Sequence, residues 1–217
     1  MALVMAPACA ACRAVLDEPL AGPVCGSCWS AVRTCTLEWR HDGEALRRVV
    51  SAGPYDGTLR DIIHAWKFEG RQGLARPLAH LVRLHCGEAL NGADVAVPVP
   101  ITPWRHWQRG FNQADDLARH LGVPRARALA RWRPRAAQST LPAAARRRNV
   151  DTSMFVPAWR RAAVRDRVIV LVDDVVTTGA TLEACARVLH AAGAKEVRAV
   201  TVAQTVLRGG AVLKRAR

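Results

Sequence analysis

The sequence predicts an α/β fold, a parallel sheet flanked by helices and preceded by a small cysteine-rich module. Three observations carry that prediction. Four cysteines crowd the first 28 residues at paired spacing, and from residue 46 onward short apolar runs alternate with helical periodicity. One such run, Val168 to Val172, passes through a helical stretch to the next, Val197 to Val202, at the spacing of a strand-helix-strand unit. A chain of 217 residues, half of them hydrophobic, has room for one ordinary domain and an accessory module. The boundary falls at residue 45, with the module over 1–45 and the main domain over 46–217.

In chain order the module comes first. Cys9, Cys12, Cys25 and Cys28 read C-x2-C, twelve residues, C-x2-C, which is zinc spacing. Each C-x2-C turn points two thiolates at one centre, and four soft sulfurs satisfy tetrahedral Zn(II) without leaving a position for water. The site therefore reads as structural. A stretch this short rarely stabilises itself through a core alone, whereas metal binding contributes ~10–16 kcal/mol. Two disulfides are the competing reading, which a cytosolic location disfavours. Cys35 is left over, either an alternative ligand or a buried residue. Cys86 and Cys185 sit in amphipathic settings as small core residues.

The main domain follows. Arg47 to Gly53 reads as a strand ending near Pro54, Thr58 to Trp66 and Leu74 to Leu84 as helices, and Val95 to Val99 as a strand running into Pro98 and Pro100. Asn112 caps a helix whose Ala114, Leu117, Ala118 and Leu121 share one face, stopped by Gly122 and Pro124. A fully buried strand begins at Arg167, Ala180 to Ala192 is a helix closed by Gly193, and Val197 to Val202 is the next strand. There is no internal repeat.

The formal net charge is +14, from 32 Lys and Arg against 18 Asp and Glu. Only Lys67, Lys195 and Lys214 are lysines, and the bias toward arginine has a genomic explanation as well as a functional one. Its distribution is more telling: twelve arginines lie between Pro124 and Arg167 against Asp151 and Asp166, so something anionic visits that stretch. No apolar run approaches the ~20 residues needed to span a bilayer. Met1 to Ala8 lacks a basic flank and reaches a cysteine too soon for a secretory signal, so the expected location is cytoplasmic.

Chemistry concentrates in Val168-Ile-Val-Leu-Val-Asp-Asp-Val-Val-Thr-Thr-Gly-Ala-Thr181, where an apolar strand ends in two carboxylates and turns into a helix. Ligands of open parallel sheets bind at such carboxyl ends. Backbone N–H groups from Thr177 to Thr181 converge on one phosphate at a helix N-terminus, joined by the hydroxyls of Thr177, Thr178 and Thr181, and Gly179 permits the close approach. Asp173 and Asp174 would repel a phosphate, so they read as acceptors for hydroxyls. A vicinal diol attached to a phosphate fits, which is ribose 5-phosphate. The same strand could be a Walker B strand, but no Gly-Lys pair supplies the matching phosphate loop.

These residues resemble the PRPP (5-phosphoribosyl 1-pyrophosphate) loop of type I phosphoribosyltransferases, and nearly the whole chain is similar to the ComF family of phosphoribosyltransferase-like competence proteins. The matching motifs are the cysteine pairs, Tyr55-Asp56-Gly57, Lys67-Phe68-x-Gly70, Val97-Pro-Val-Pro100, Arg105-x-x-x-Arg109-Gly-Phe-Asn-Gln113, Gln138-x-x-Leu141, Arg146-x-x-Asn149-Val150 and the Asp-Asp loop. The resemblance implies a type I phosphoribosyltransferase fold and a link to DNA uptake in natural transformation. It assigns the ribose hydroxyls to Asp173 and Asp174, and the 5-phosphate to Thr177, Thr178, Gly179, Ala180 and Thr181. The pyrophosphate goes to the turn ending in Pro100, with Arg105 and Arg109, and closure over the ligand to the segment from Arg131 to Asn149. Mg(II) is expected on the pyrophosphate. The chain departs from the family in leaving Cys35 without a paired cysteine, and in placing Arg135 where family loops commonly carry threonine three residues before Gln138.

Arg105 and Arg109 could instead form a solvated helix face, and Arg146 to Arg148 a solvated charge run. The histidines show no metal spacing. Lys67 reads only as a charge at a helix C-terminus. Trp104, Trp107, Trp132 and Trp159 lie beside arginines, suited to stacking on single-stranded bases, although at least half of them are expected in the core. Two functions follow. One is a phosphoribosyltransferase passing the ribosyl group of Mg·PRPP to an unidentified acceptor. The other is a non-catalytic competence accessory protein sensing PRPP or a nucleotide, with single-stranded DNA or a helicase as partner. A transcriptional regulator is disfavoured, because no helix-turn-helix pattern precedes the domain.

Overall fold

The computed structural model describes residues 7–18, 22–40, 45–46, 48–131 and 153–205. Elements follow in the order α1 (Gly26–Ala31), β1 (Leu37–Arg40), β2 (Arg48–Ser51), α2 (Gly57–Phe68), α3 (Ala75–His85), α4 (Gly87–Leu90), β3 (Val95–Pro98), α5 (Pro103–Arg109) and α6 (Gln113–Ala118). Then come β4 (Ala130–Arg131), β5 (Met154–Phe155), β6 (Val168–Val176), α7 (Ala180–Ala191) and β7 (Glu196–Gln204). The main sheet runs β1-β2-β7-β6-β3. All its pairings are parallel except β1 with β2, as expected when helices connect the strands. β4 and β5 form a small antiparallel pair.

β6 and β7 read as nearly continuous apolar runs because both faces of the sheet are covered. Val170, Val172, Val200 and Val202 pack with Leu59, Ile62, Ile63 and Trp66 of α2 and with the buried face of α3. On the opposite face Ile169, Leu171, Val197 and Ala199 pack with Leu182, Cys185, Ala186 and Leu189 of α7. The first of these cores also takes in Cys9, Ala10, Leu16, Val24 and Cys28, so the cysteine-rich segment is packed onto the α2–α3 layer. β1, which precedes the boundary expected at residue 45, is a strand of the main sheet.

Three details differ from expectation. β6 continues through the acidic pair to Val176, because its ladder with β7 runs on to Val176↔Gln204. α6 ends at Ala118, although Leu121 is still buried in the turn that follows. A short parallel bridge, Ala96↔Arg125, extends the sheet beyond β3 where no strand was expected.

Candidate ribose phosphate site and metal centre

The pairing of β6 sets the geometry of the acidic pair. β3 accompanies β6 only to Pro98↔Val172, with a last bond from Val99 N–H to the Val172 carbonyl at 2.9 Å. From Asp173 onward, among the described residues, no strand lies on that flank, while β7 still holds the other edge. Neighbouring strand residues project to opposite faces. Asp174 leaves toward α2, where Lys67 Nζ lies 2.9 Å from its Oδ1, both side chains largely buried. Asp173 leaves toward α7 and the β4–β5 pair, where it feels Cys185 and Arg131. Its Oδ1 accepts the N–H of Asp174 at 2.9 Å. Burial first, and then the Asp174 charge, push the Asp173 carboxyl up to about 7, against the opposing effects of the Asp174 amide, Lys67 and Arg105.

Beyond the pair the chain turns through Thr177 and Thr178, both exposed, to Gly179. Gly179 adopts φ 69°, a left-handed conformation that glycine accepts without steric cost, and it caps α7. The Glu183 N–H closes the first turn on the Gly179 carbonyl at 2.9 Å. The amides of Ala180, Thr181 and Leu182 therefore have no helical carbonyl ahead of them, and they carry the positive end of a twelve-residue dipole. The only acid in this first turn, Glu183, faces away: its carboxylate accepts the N–H groups of Ala45 and Leu46.

The third side is basic. Asn112 caps α6, accepting from Ala114 N–H at 3.1 Å, and donates to the Val99 carbonyl at 3.0 Å, so the loop after β3 is tied to the helix that follows it. That loop leads into α5, started by Pro103 behind the Thr102 cap and ended by Gly110 at φ 76°. α5 places Arg109 with its guanidinium 5.0 Å from the Phe68 ring centroid and bonded to Gln113 Oε1 at 3.1 Å. Burial lowers the pKa of Arg109, Asp174 and Asp173 raise it, and Arg105 lowers it. Arg131, half-buried at the end of β4, is likewise lowered by burial and by Arg105. Three guanidinium groups thus crowd one another beside two carboxylates, a field suited to a polyanion. Next to them a cavity of about 600 Å³ opens between Pro100, Ile101, Phe111, Asn112, Arg127 and Arg131. Asp115, buried on α6, anchors its wall by binding Arg125 and Arg127, the latter at 2.6 and 3.0 Å.

A phosphoribosyl transferase domain model matches residues 108–214. Competence protein F of Haemophilus influenzae is 31% identical over 192 residues, 81% of this chain and 82% of its own length. DNA utilization protein YhgH of Escherichia coli K12 is 32% identical over 210 residues, 84% of this chain and 91% of its own. Competence protein ComFC of Streptococcus pneumoniae is 28% identical over 145 residues, 66% and 62% of the two chains.

The chain belongs to the ComF family.

In this ComF protein the four cysteines come together as a metal-binding group. Their sulfurs lie within 4.8 Å of one another. Cys12 Sγ and Cys25 Sγ are 3.8 Å apart, and none of the seven cysteines is in a disulfide. Tetrahedral zinc with Zn–S bonds of ~2.3 Å requires S···S separations of about 3.8 Å, so the donor set fits that ion. Although burial alone would push the Cys9 thiol up, the amides of Cys25, Ala11 and Cys12 bring it down to about 6. The Cys25 N–H lies 3.4 Å from Cys9 Sγ. Such bonds favour the thiolate a metal needs. Cys35 is exposed and stands outside the group, and Cys86 and Cys185 are buried as expected.

Sequence reasoning missed Lys67 and overestimated the tryptophans. The helix-terminal charge assigned to Lys67 is correct as far as it goes, but its ammonium is spent on Asp174. The signal was its isolation: it is the sole lysine in the middle of an arginine-rich chain. The expectation that at least half of the four arginine-flanked tryptophans are core residues fails, since Trp104, Trp107 and Trp159 are 58%, 76% and 80% exposed. α5 buries none of its residues, which leaves its aromatic rings without a core to enter. Trp132, the closing segment after Arg131, and Arg146 to Arg148 lie outside the described residues. No described helix is long and apolar enough to cross a membrane.

Proposed function

We propose that this ComF protein binds Mg·PRPP at the carboxyl end of β6 and acts in DNA uptake or utilisation, with phosphoribosyl transfer to an unidentified nitrogen acceptor as its chemistry. The observation that carries the reading is the flank of β6 beyond Val172, unpaired among the described residues, where two carboxylates precede the amide-rich start of α7 by a few residues. A ribose laid across that flank meets one carboxylate from each face, and its 5-phosphate reaches the first-turn amides and the threonine hydroxyls. Charge-assisted hydrogen bonds of this kind contribute roughly 1.5–3 kcal/mol each. The pyrophosphate then points toward Arg105, Arg109 and Arg131, and neutralising it as a leaving group is the main catalytic task. Mg(II), arriving with the substrate, shares that neutralisation. The names of the relatives, a competence protein and a DNA utilization protein, support the cellular role, and zinc is the ion proposed for the four thiols.

Calorimetric titration with PRPP and Mg(II) tests the pocket. Wild-type protein binds, and Asp173→Asn with Asp174→Asn abolishes binding; equal affinity in the double variant overturns the assignment. A pyrophosphate-release screen against nucleobases then separates enzyme from sensor. One observation favours a second surface role, binding of single-stranded DNA. Trp104 and Trp107 stack on one another with ring centroids 5.2 Å apart on the exposed side of α5, and exposed aromatic rings beside arginines suit unpaired bases. Affinity for an oligothymidylate that falls steeply with salt supports it; an affinity indifferent to both salt and the tryptophans removes it.

A further inference from the structure

We propose that Lys67 is a positioning residue of the ribose site, and that the cysteine module holds it in place. The inference rests on the Mg·PRPP reading of the acidic pair. Lys67 Nζ sits 2.9 Å from Asp174 Oδ1 and 5.9 Å from the centroid of the Tyr55 ring, with 12% of the lysine side chain and 13% of the aspartate exposed. An ammonium so enclosed is aimed. Because it is a point charge engaging one carboxylate oxygen, it fixes the orientation of Asp174 and leaves the other oxygen available to a hydroxyl; a guanidinium fork would engage both. It also offsets part of the charge that two adjacent acids, one buried and one half-buried, place on one strand.

What places Lys67 is the chain just after it. α2 ends at Phe68, and Gly70 reverses the path at φ 65°. Glu69 is gripped by both terminal nitrogens of Arg13, the residue after Cys12, which itself adopts φ 66° to turn the first cysteine knuckle. Arg71 approaches the Glu69 carboxylate through Nε at 3.5 Å and donates through Nη1 to the carbonyl of Ala8, the residue before Cys9. Residues 69 and 71 thus clamp the first cysteine pair from both sides. The clamp and the ammonium are two ends of one five-residue segment. The charged and titratable groups facing the acidic pair are Lys67 from α2, Tyr55 from the connection before it, Arg105 and Arg109 from α5, Arg131 from β4 and Cys185 from α7. Lys67 alone among them is held through the metal-binding segment.

The test combines calorimetry with Mg·PRPP from pH 6 to 9 and carbon-13 carboxyl titration of the ligand-free, metal-loaded protein. In Lys67→Met, or Lys67→Gln should the first variant not fold, the Asp173 midpoint rises. Affinity at pH 7 falls about five-fold or more, and the loss shrinks above the new midpoint, since raising a midpoint from about 7 by one pH unit lowers the ionised fraction at pH 7 from about one half to about one eleventh. Lys67→Arg retains the midpoint and part of the affinity. Glu69→Gln combined with Arg71→Met gives a smaller loss with the same pH signature. Unchanged affinity and midpoint in the neutral variants overturn the role of Lys67, and a clamp variant that binds like wild type overturns the contribution of the module. Failure of wild-type protein to bind Mg·PRPP is a different result: it overturns the pocket reading, and the ribose role with it.

Discussion

Replacing Asp173 by asparagine should stabilise the ligand-free protein at neutral and alkaline pH while removing its ligand. The carboxyl is pushed from 3.8, the ordinary aspartate value, up to about 7 by burial and by the Asp174 charge. A folded-state value above the unfolded one means that the native protein keeps this proton longer. The stability contributed by the neutral acid is complete below pH 3.8 and is lost as pH rises to about 7, after which the penalty of the buried charge is constant. That penalty has a ceiling of about 4 kcal/mol at pH 8. Solvent at the open flank of β6 and relaxation around the half-buried group reduce it to about 2 kcal/mol. Asparagine keeps the oxygen that accepts the Asp174 amide but never ionises. The gain over wild type should therefore be about 1 kcal/mol at pH 5 and about 2 kcal/mol at pH 8. Paired urea unfolding curves for wild type and variant at pH 5, 6.5 and 8 measure the difference, in which titrating groups remote from the acidic pair cancel. A variant that is less stable at pH 8, or a gain that is flat with pH, refutes the reasoning.

Asp174→Asn should do the opposite and destabilise by about 3 kcal/mol, because it strands a buried ammonium; the same unfolding curves read it. Asp115→Ala removes the carboxylate that holds Arg125 and Arg127 and, because solvent reaches both guanidinium groups left behind, should cost about 1–2 kcal/mol in urea. Although burial raises Asp115, its arginine partners win and hold it below the ordinary value, so its contribution is present above pH 3.8 and lost as pH falls further. Chelation of the metal should lower the melting temperature and expose Cys9 and Cys28 to thiol reagents in one step, with zinc release read by a colorimetric chelator. Trp104→Ala with Trp107→Ala should weaken oligothymidylate binding by roughly 1–3 kcal/mol per stacked base while leaving the salt slope intact, as measured by fluorescence anisotropy.

The parts of the fold most legible in the sequence are those whose pattern has one physical cause. β6 and β7 read as buried parallel strands because both faces are covered, and α2 and α3 because one apolar stripe faces the sheet. The metal-binding cysteines were legible for the same reason, since pair spacing alone brings two thiols to one point. β1 was not, because the alternation of Leu37-Glu-Trp-Arg40 covers only four residues, too short a run to stand out beside the cysteine module. At the candidate site the turn chemistry around Gly179 was readable from residue types, whereas the Lys67–Asp174 contact joins positions more than a hundred residues apart. Only the packing of α2 on the face of β6 that carries Asp174 creates it. The tryptophans misled because hydrophobic content was taken as burial, on a helix whose arginines are drawn toward the acids and whose other side is left to solvent.

That the acids occupy opposite faces of β6 changes what binding can do. A single carboxylate senses one layer of the fold, whereas a diol bridging Asp173 and Asp174 ties both layers together. Through Asp174 it engages Lys67, and beyond Lys67 the clamp on the first cysteine pair. Through Asp173 it reaches Arg131, at the end of β4, and with it the small β4–β5 pair. A ligand that satisfies both carboxylates at once should therefore rigidify the cysteine module and the β4–β5 pair together, although these lie on opposite sides of the sheet. Amide hydrogen exchange with and without Mg·PRPP tests this: protection that rises at Cys12 to Ala14 and at Ala130 to Arg131 together supports the bridging geometry. Protection confined to the β4–β5 pair means that the ligand engages Asp173 alone, and that Asp174 serves Lys67 and nothing else.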